Sequence, residues 1–292
     1  MHWKTVAEKE YFYRSLDRKG KAKSLGVRSA KTEDIERHFN DQKTQSKARL
    51  ESLSEALTTH SKINAAHRLG SAPSIVAALC QRLSIAGLLG PSLVIIGTNS
   101  LFAYEAMAGV RFDREMLATT DIDLLSGHKA RIRLALMDFM PDDQAMEGQT
   151  FRAVNDKGFM VDLIRQMPKP PWKDEPDRIS AAENSDTDLV ATDIWNMKWL
   201  LNAPQVQQNA IALNGTMFPI CAPDPRAYAM FKLWLSQSDE RNPVKKSRDF
   251  LQAKALAAMI QEKLPHLAAN WNQINSFPAA IAQRLVAQLV AH

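Results

Sequence analysis

The chain has 292 residues, of which 45% are hydrophobic and 24% are charged, and its formal net charge is +5. This composition is typical of a folded globular protein with about two domains, and it excludes an intrinsically disordered chain. Two cysteines are too few for a disulfide-stapled fold, and no apolar stretch is long and unbroken enough to span a bilayer. We therefore expect a cytoplasmic protein with no signal peptide and no membrane partner.

The positive charge is concentrated in the first third of the chain. Residues 1–90 carry 16 Lys or Arg against 9 Asp or Glu, whereas residues 91–292 carry 21 against 23. We therefore expect an anionic partner to bind the N-terminal third. RNA is the candidate partner, which would be bound through phosphate contacts that carry no sequence information.

In chain order, the first elements are predicted to be helical. Residues 1–30 suggest an extended arm or a frayed helix. Residues 32–67 contain no Gly or Pro, and their spaced apolar residues predict one long helix or two shorter ones. Residues 74–89 predict a shorter helix that ends at Gly90-Pro91.

The following segment alternates between strand and helix patterns. A continuous apolar run predicts a buried strand over 93–96, and a helix is expected over 99–107. Period-two alternation predicts a strand over 121–125, followed by a helix over 128–140. A turn sequence inside residues 151–164 predicts a hairpin.

The C-terminal part is predicted to be mainly helical. The expected elements are a helix over 193–202, a hairpin around Asn214-Gly215, and helices over 223–236, 243–264 and 278–290. The sequence thus predicts an α/β (α+β) fold with a small mixed sheet. We expect a basic helical N-terminal region (1–90), an α/β core (91–222) and a C-terminal helical region (223–292).

Three carboxylates in this core are the strongest chemical signal. Asp121 and Asp123 lie two apart on a strand and so share one face, and Asp162 interrupts an apolar strand where an unpaired charge is costly. A hard divalent cation such as Mg²⁺ would relieve their repulsion, and three such residues can hold two ions. The alternatives are that the first two cap backbone groups and that Asp162 pairs with Arg152 or Arg165.

A phosphate-type turn precedes these carboxylates. A buried strand ends at Gly97 and leads into a helix that carries Thr98 and Ser100. Glycine lets the backbone approach a phosphate, and free N–H groups at a helix start favour an anion. The alternative is an ordinary glycine turn with Thr98 or Ser100 as the helix N-cap.

Together these features resemble the nucleotidyltransferase fold shared with DNA polymerase β. The resemblance is carried by Gly97-Thr98, by Asp121-Ile122-Asp123 and by Asp162, and it is closest to a bacterial group of nucleotidyltransferase-like proteins. It covers about residues 60–256 and is strongest over 95–125.

The resemblance implies a role for each matching residue. Asp121 and Asp123 would ligate Mg²⁺, and Asp162 would complete the metal site and assist the nucleophile. The residues that would hold the β- and γ-phosphates are Gly97, Thr98 and Ser100. Two departures are a threonine where the family has Ser or Gly, and a longer stretch between the turn and the first aspartate.

A second resemblance lies in the C-terminal helices. Lys232 with Leu233, followed by Arg248-Asp249, is similar to a pair of motifs in nucleotidyltransferase toxins of the abortive-infection type. The similarity implies that Lys232 meets the triphosphate and that Asp249 is held by, or orients, a nearby base or arginine. The alternative is that Lys232 belongs to the solvated face of its helix.

The sequence therefore predicts a Mg²⁺-dependent nucleotidyltransferase that moves a nucleoside monophosphate from an NTP to a hydroxyl. The acceptor would be RNA, such as tRNA, bound through residues 1–90, or a protein or small molecule. The competing hypothesis is a catalytically silent module of the same fold that binds nucleic acid or a protein partner.

Overall fold

The computed structural model describes residues 1–17, 20–127, 131–133, 139–141, 151–171 and 188–290. These residues form two compact units, 1–60 and 61–292. None of the described helices is both long enough and apolar enough to cross a membrane.

The first unit is an antiparallel sheet followed by a helix. Strands β1 (His2–Val6), β2 (Lys9–Ser15) and β3 (Ala22–Val27) pair in the order β1-β2-β3. The prediction of an arm or frayed helix for residues 1–30 is wrong, because alternating side chains here bury one sheet face. Trp3 and Phe12 pack with ring centroids 4.7 Å apart, and Phe12 is buried.

The predicted long helix is confirmed as a single element, α1 (Ala30–Ala66). It begins in the first unit and ends in the second. In the first unit, the Trp3 indole N–H donates to Glu36 on this helix over 2.8 Å, which ties the sheet to it.

The second unit contains a mixed sheet of six strands among the described residues. The strands are β4 (Leu93–Ile96), β5 (Asp121–Ser126), β7 (Met140–Pro141), β8 (Arg152–Val154), β9 (Met160–Gln166) and β11 (Thr192–Ile194). Their order is β4-β5-β9-β8-β7, and β11 also pairs with β9. Because β5 and β9 are parallel while β4 and β8 run antiparallel to them, the sheet is mixed as predicted.

The described part of this unit also contains two further strand pairs, the end of α1 and eight more α-helices. The pairs are β6 (Arg131–Arg133) with β10 (Asp188–Val190), and β12 (Gln205–Ile211) with β13 (Met217–Pro223), the latter confirming the predicted hairpin. The helices are the end of α1 and α2 (Ser74–Ile85), α3 (Leu101–Ala108), α4 (Arg114–Leu117), α5 (Lys198–Leu201), α6 (Pro225–Gln237), α7 (Pro243–Lys263), α8 (Pro265–Ala268) and α9 (Ala279–Val290).

Two helix predictions are wrong in the described residues. Within 128–140, residues 131–133 form strand β6, while 128–130 and 134–138 lie outside the described residues. Within 193–202, strand β11 pairs with β9, and only Lys198–Leu201 is helical. Asn196 adopts a positive φ of 65°, which interrupts the expected helix between them. Pairing with a distant strand outweighs the local helix pattern in both places.

The first compact unit ends earlier than the predicted region 1–90. Helix α2 lies in the second unit, where Val76, Leu79 and Cys80 are fully buried in the core. The division of the remaining chain into regions 91–222 and 223–292 stays a prediction.

Helix α6 is anchored at its start by a buried ion pair. Asp224 caps the helix by accepting from the Arg226 backbone N–H at 2.8 Å, and Pro225 occupies the first helical position. The Asp224 carboxylate also accepts from the Arg226 guanidinium at 2.8 and 3.0 Å. Both side chains are 5% exposed, so each depends on the other for its charge to be buried.

Replacing Asp224 with Ala should destabilise the protein by about 3–5 kcal/mol, because it leaves the Arg226 charge buried without a partner. Asn242→Ala is the matched control, since Asn242 caps α7 before Pro243 in the same way but is exposed. It should cost about 1 kcal/mol. Chemical denaturation measures both values, and equal losses would contradict the role of the ion pair.

Candidate active site

The register of two parallel strands brings three carboxylates together. Asp123 on β5 lies opposite Asp162 on β9, and Asp121 precedes Asp123 by two residues on the same face. One carboxylate oxygen from each residue lies within 4.8 Å of the others. Ile122 and Leu163, which point to the opposite face of the sheet, are fully buried. The strands are therefore fixed by apolar packing on one side and present acids on the other.

The donor set fits a hard divalent cation. All three ligands are carboxylate oxygens, which Mg²⁺ prefers, and no softer ligand is interposed among them in the described residues. Burial, and then the negative charges of Asp121 and Asp162, together raise the pKa of Asp123 to about 7. A cation placed among these oxygens would favour the ionised form of Asp123, against the burial and the repulsion that raise its pKa.

Gly97 forms the floor of this cluster. It follows β4, whose last residue pairs with Asp123, and its φ is 68°. A Cβ atom built at this position would lie 2.0 Å from the Asp123 Oδ2 atom. Glycine is therefore required here both by backbone conformation and by the close approach of a carboxylate.

The turn after Gly97 is held by buried hydrogen bonds. The Gly97 carbonyl accepts from the Ser100 hydroxyl at 2.8 Å and from the Tyr228 hydroxyl at 2.6 Å. Asn99 donates its side-chain amide to the Asp121 carbonyl at 2.7 Å. Thr98 and Ser100 are buried, and neither makes a side-chain N-cap bond in the described turn. The hydroxyl proton of Ser100 is directed to Gly97.

Asp162 carries a bidentate ion pair with Arg152. The two guanidinium nitrogens donate to the two carboxylate oxygens at 2.6 and 2.7 Å. The alternative that Asp162 pairs with Arg152 is therefore confirmed, whereas Arg165 bonds to Asp193 instead. A carboxylate has about four lone-pair positions, so two remain for a cation. Arg152 fixes the plane of Asp162 without excluding a metal.

Lys232 and Asp249 form a buried network between α6 and α7. The Lys232 ammonium donates to Asp249 at 2.7 Å, and Arg241 donates to the other oxygen of Asp249 at 2.7 Å. Burial lowers the pKa of Lys232, and the charge of Asp249 opposes this effect. Lys232 is only 5% exposed, so the alternative of a solvated helix face is wrong.

A cavity of about 650 Å³ opens beside Asp121. Its lining combines Ala118, Thr119, Thr120, Asp121, Arg152, Met160, Lys245 and Arg248. Arg248 is held in place because its guanidinium donates to the Ala118 carbonyl at 2.9 Å. Three cationic side chains thus surround an opening that leads to one of the three acids, an arrangement suited to an anionic group.

Several residues of this site were not predicted as site residues, Tyr228 and Gln252 among them. The Tyr228 hydroxyl bonds to Gly97, and the Gln252 amide donates to the Met116 carbonyl at 2.7 Å and lies 3.5 Å from the Thr98 hydroxyl. For Gln252, a signal was present, because it follows Asp249 by three residues and shares its helix face. Tyr228 carries no comparable signal in an apolar helix.

A comparison with family models matches residues 74–276 to a family described as nucleotidyltransferase. No curated protein and no solved structure matches the chain significantly. The matched range begins at the start of α2 and contains all the residues described in this site, including Lys232 and Asp249. Residues 1–60, which form the first compact unit, lie outside it.

Replacing Gly97 with Ala should lower the affinity for Mn²⁺ by about 10-fold or more, since the new methyl group displaces Asp123. Gly109→Ala is the matched control, because Gly109 also has a positive φ (64°) but has no atom near the position of its Cβ. Both variants should lose similar backbone stability. Isothermal titration measures the affinities, and equal Mn²⁺ binding by the two variants would contradict the close approach.

Divalent-cation affinity should fall as the pH is lowered through about 7, because the cation competes with the proton that Asp123 binds at that pH. Mn²⁺ titrations at a pH well below and a pH well above this value test the effect. Asp113→Asn, which neutralises an acid outside the triad, should retain the dependence, and Asp123→Asn should abolish it. Identical wild-type affinities at both pH values would be inconsistent with the raised pKa.

Proposed function

Because the chain belongs to the nucleotidyltransferase family, we propose that it transfers a nucleoside monophosphate from an NTP to a hydroxyl acceptor. The α-phosphorus is attacked by the acceptor oxygen, the bond to the bridging oxygen breaks, and pyrophosphate leaves. The observation that carries this proposal is the cluster of Asp121, Asp123 and Asp162, whose carboxylate oxygens lie within 4.8 Å of one another.

Mg²⁺ is the proposed cofactor, in one or two copies held by the three aspartates. When bound, it would neutralise charge on the phosphate oxygens and on the attacking and leaving oxygens. The chain supplies the positioning. Asp162, whose plane is fixed by Arg152, would orient the acceptor hydroxyl and receive its proton.

The NTP phosphates are proposed to lie over the turn at Gly97 and Thr98. Backbone N–H groups at a helix start favour an anion, and glycine allows close approach. Lys232 supports this placement, since an ammonium has three donors and Asp249 uses only one. Its ion pair with Asp249 would orient the charge towards the phosphates rather than towards solvent.

The cationic cavity beside Asp121 supports binding of a further anionic group. Lys245 and Arg248 approach it from α7, and Arg152 approaches it from β8. We assign it to the triphosphate or to the phosphates that flank a hydroxyl at an RNA end. RNA, including tRNA, is the proposed acceptor, and residues 1–90 are the proposed acceptor-binding region. A protein acceptor remains an outcome of the test.

Incubation of the full chain with each α-³²P-labelled NTP, Mg²⁺ and total cellular RNA or protein should place label in the RNA pool. Asp121→Asn combined with Asp123→Asn should reduce the transfer by at least about 10³-fold, because the variant keeps the shape of the site but removes two negative ligands. Label in the protein pool would show that the acceptor is a protein and not RNA. No transfer, together with NTP binding unaffected by the double variant, would establish the catalytically silent alternative.

The same assay tests whether the cationic cavity binds an anion specifically or only adds to the general positive charge. Lys245→Ala should raise the KM for NTP or for RNA by about 10-fold, since it removes a cation from the cavity wall. Lys246→Ala makes the same charge change on the next residue, which does not line the cavity, and should leave both KM values nearly unchanged. Equal effects of the two variants would argue against a specific role for the cavity.

A further inference from the structure

One face of the N-terminal sheet carries aromatic and basic residues together. Directly opposite residues in an antiparallel pair share a face, and the register pairs His2 with Tyr13 and Lys4 with Tyr11. Lys9 lies two residues before Tyr11 and is therefore on the same face. We call this surface the open face, defined by His2, Lys4, Lys9, Tyr11 and Tyr13.

The opposite face of this sheet is already occupied. Trp3 and Phe12 point to that side, where Phe12 is buried and Trp3 donates to Glu36 of α1. On the open face, by contrast, the side chains of His2, Lys4 and Lys9 are exposed, and those of Tyr11 and Tyr13 are half-buried. The two tyrosines are therefore only partly covered, in contrast to Phe12 on the opposite face.

Aromatic rings on the open face are arranged as a platform. The His2 and Tyr13 rings stack, with centroids 5.9 Å apart and an angle of 17° between their planes. Tyr11 and Tyr13 are two residues apart on one strand, which separates them by about 7 Å along the strand. This spacing leaves room for one flat, polarisable group on Tyr11 and another at the His2–Tyr13 stack.

The charge of the first unit is segregated towards this sheet. Among residues 1–29, the described part carries six Lys or Arg against three Asp or Glu, whereas residues 30–60 carry five against six. None of the three acids lies on the open face. Glu8 is in the turn between β1 and β2, Glu10 is on the opposite face and pairs with Arg28, and the Asp17 carboxylate accepts from the Lys21 backbone N–H.

We propose that the open face binds single-stranded nucleic acid. Bases stack on Tyr11, on Tyr13 and on the edge formed with His2, while Lys4 and Lys9 contact the phosphates. A duplex would not fit this chemistry, because its bases are already stacked on each other and cannot lie on tyrosine rings. The inference rests on the proposed function only in identifying the bound strand as the acceptor.

Fluorescence anisotropy of a labelled single-stranded RNA of about 12 nucleotides tests the proposal with the full chain. Tyr11→Ala combined with Tyr13→Ala should weaken binding by at least about 10-fold, because two stacking surfaces are lost. Tyr11→Phe combined with Tyr13→Phe keeps both rings and should bind within about 3-fold of the wild type. A duplex of the same sequence should compete poorly.

A second pair of variants tests the lysines. Lys4→Ala combined with Lys9→Ala should weaken RNA binding and reduce the slope of log affinity against log salt by about 1–2. Lys43→Ala combined with Lys47→Ala removes two exposed lysines of α1 instead and should leave that slope nearly unchanged. Equal effects would indicate general attraction rather than this surface.

Three results would overturn the inference. The first is unchanged RNA binding by the Tyr-to-Ala variant, and the second is equal binding of duplex and single strand. The third is a wild type that does not bind RNA while the Tyr-to-Ala variant changes its oligomeric state, which would make this face a protein contact. Circular dichroism and NTP binding monitor folding of the variants. Loss of nucleotide transfer with intact RNA binding would contradict the proposed function alone. Transfer to protein without RNA binding would contradict this inference and the proposed RNA acceptor, but not the transfer reaction itself.

Discussion

Repulsion among three neighbouring carboxylates is the constraint around which the site is built. The parallel register of β5 and β9 fixes Asp123 beside Asp162, and the two-residue period of a strand adds Asp121. Burial, and then the negative charges of Asp121 and Asp162, raise the pKa of Asp123 to about 7. The apolar packing behind β5 and β9 must therefore hold together what electrostatics would separate. A dication gains binding energy from the same repulsion.

The surrounding elements each restrain one part of this cluster. Gly97 admits Asp123 at a distance that no side chain would allow, and Tyr228 from α6 fixes the Gly97 carbonyl. Further along the same helix, Lys232 shares Asp249 with Arg241, so the buried network contains two cations and one anion. Its net positive charge partly balances the acids, since the charge of Lys232 lowers the pKa of Asp123. Helix α6 therefore links the backbone geometry of the site to its electrostatics.

The sequence pattern predicted those elements whose structure depends on neighbouring residues in the chain. The strand at 93–96, the long helix α1 and the spacing of Asp121 and Asp123 follow from runs, periodicity and an absence of Gly and Pro. The N-terminal sheet and β11 did not follow, because strand pairing depends on partners that a sequence window does not contain. The burial of Lys232 was likewise hidden, since only the packing of α6 against α7 supplies its partner Asp249.

The positive net charge of the chain comes from its first residues. Residues 1–29 alone carry an excess of five positive charges, which equals the excess of the whole chain, and α1 contributes none of it between residues 30 and 60. A diffuse excess would attract any polyanion with similar weak affinity. Lys4 and Lys9 share a sheet face with the half-buried rings of Tyr11 and Tyr13. This arrangement favours unstacked bases, because phosphate contacts and stacking then act on the same strand. Under the proposed binding, selection between single-stranded and duplex nucleic acid would arise in strands β1 and β2, outside the matched residues 74–276.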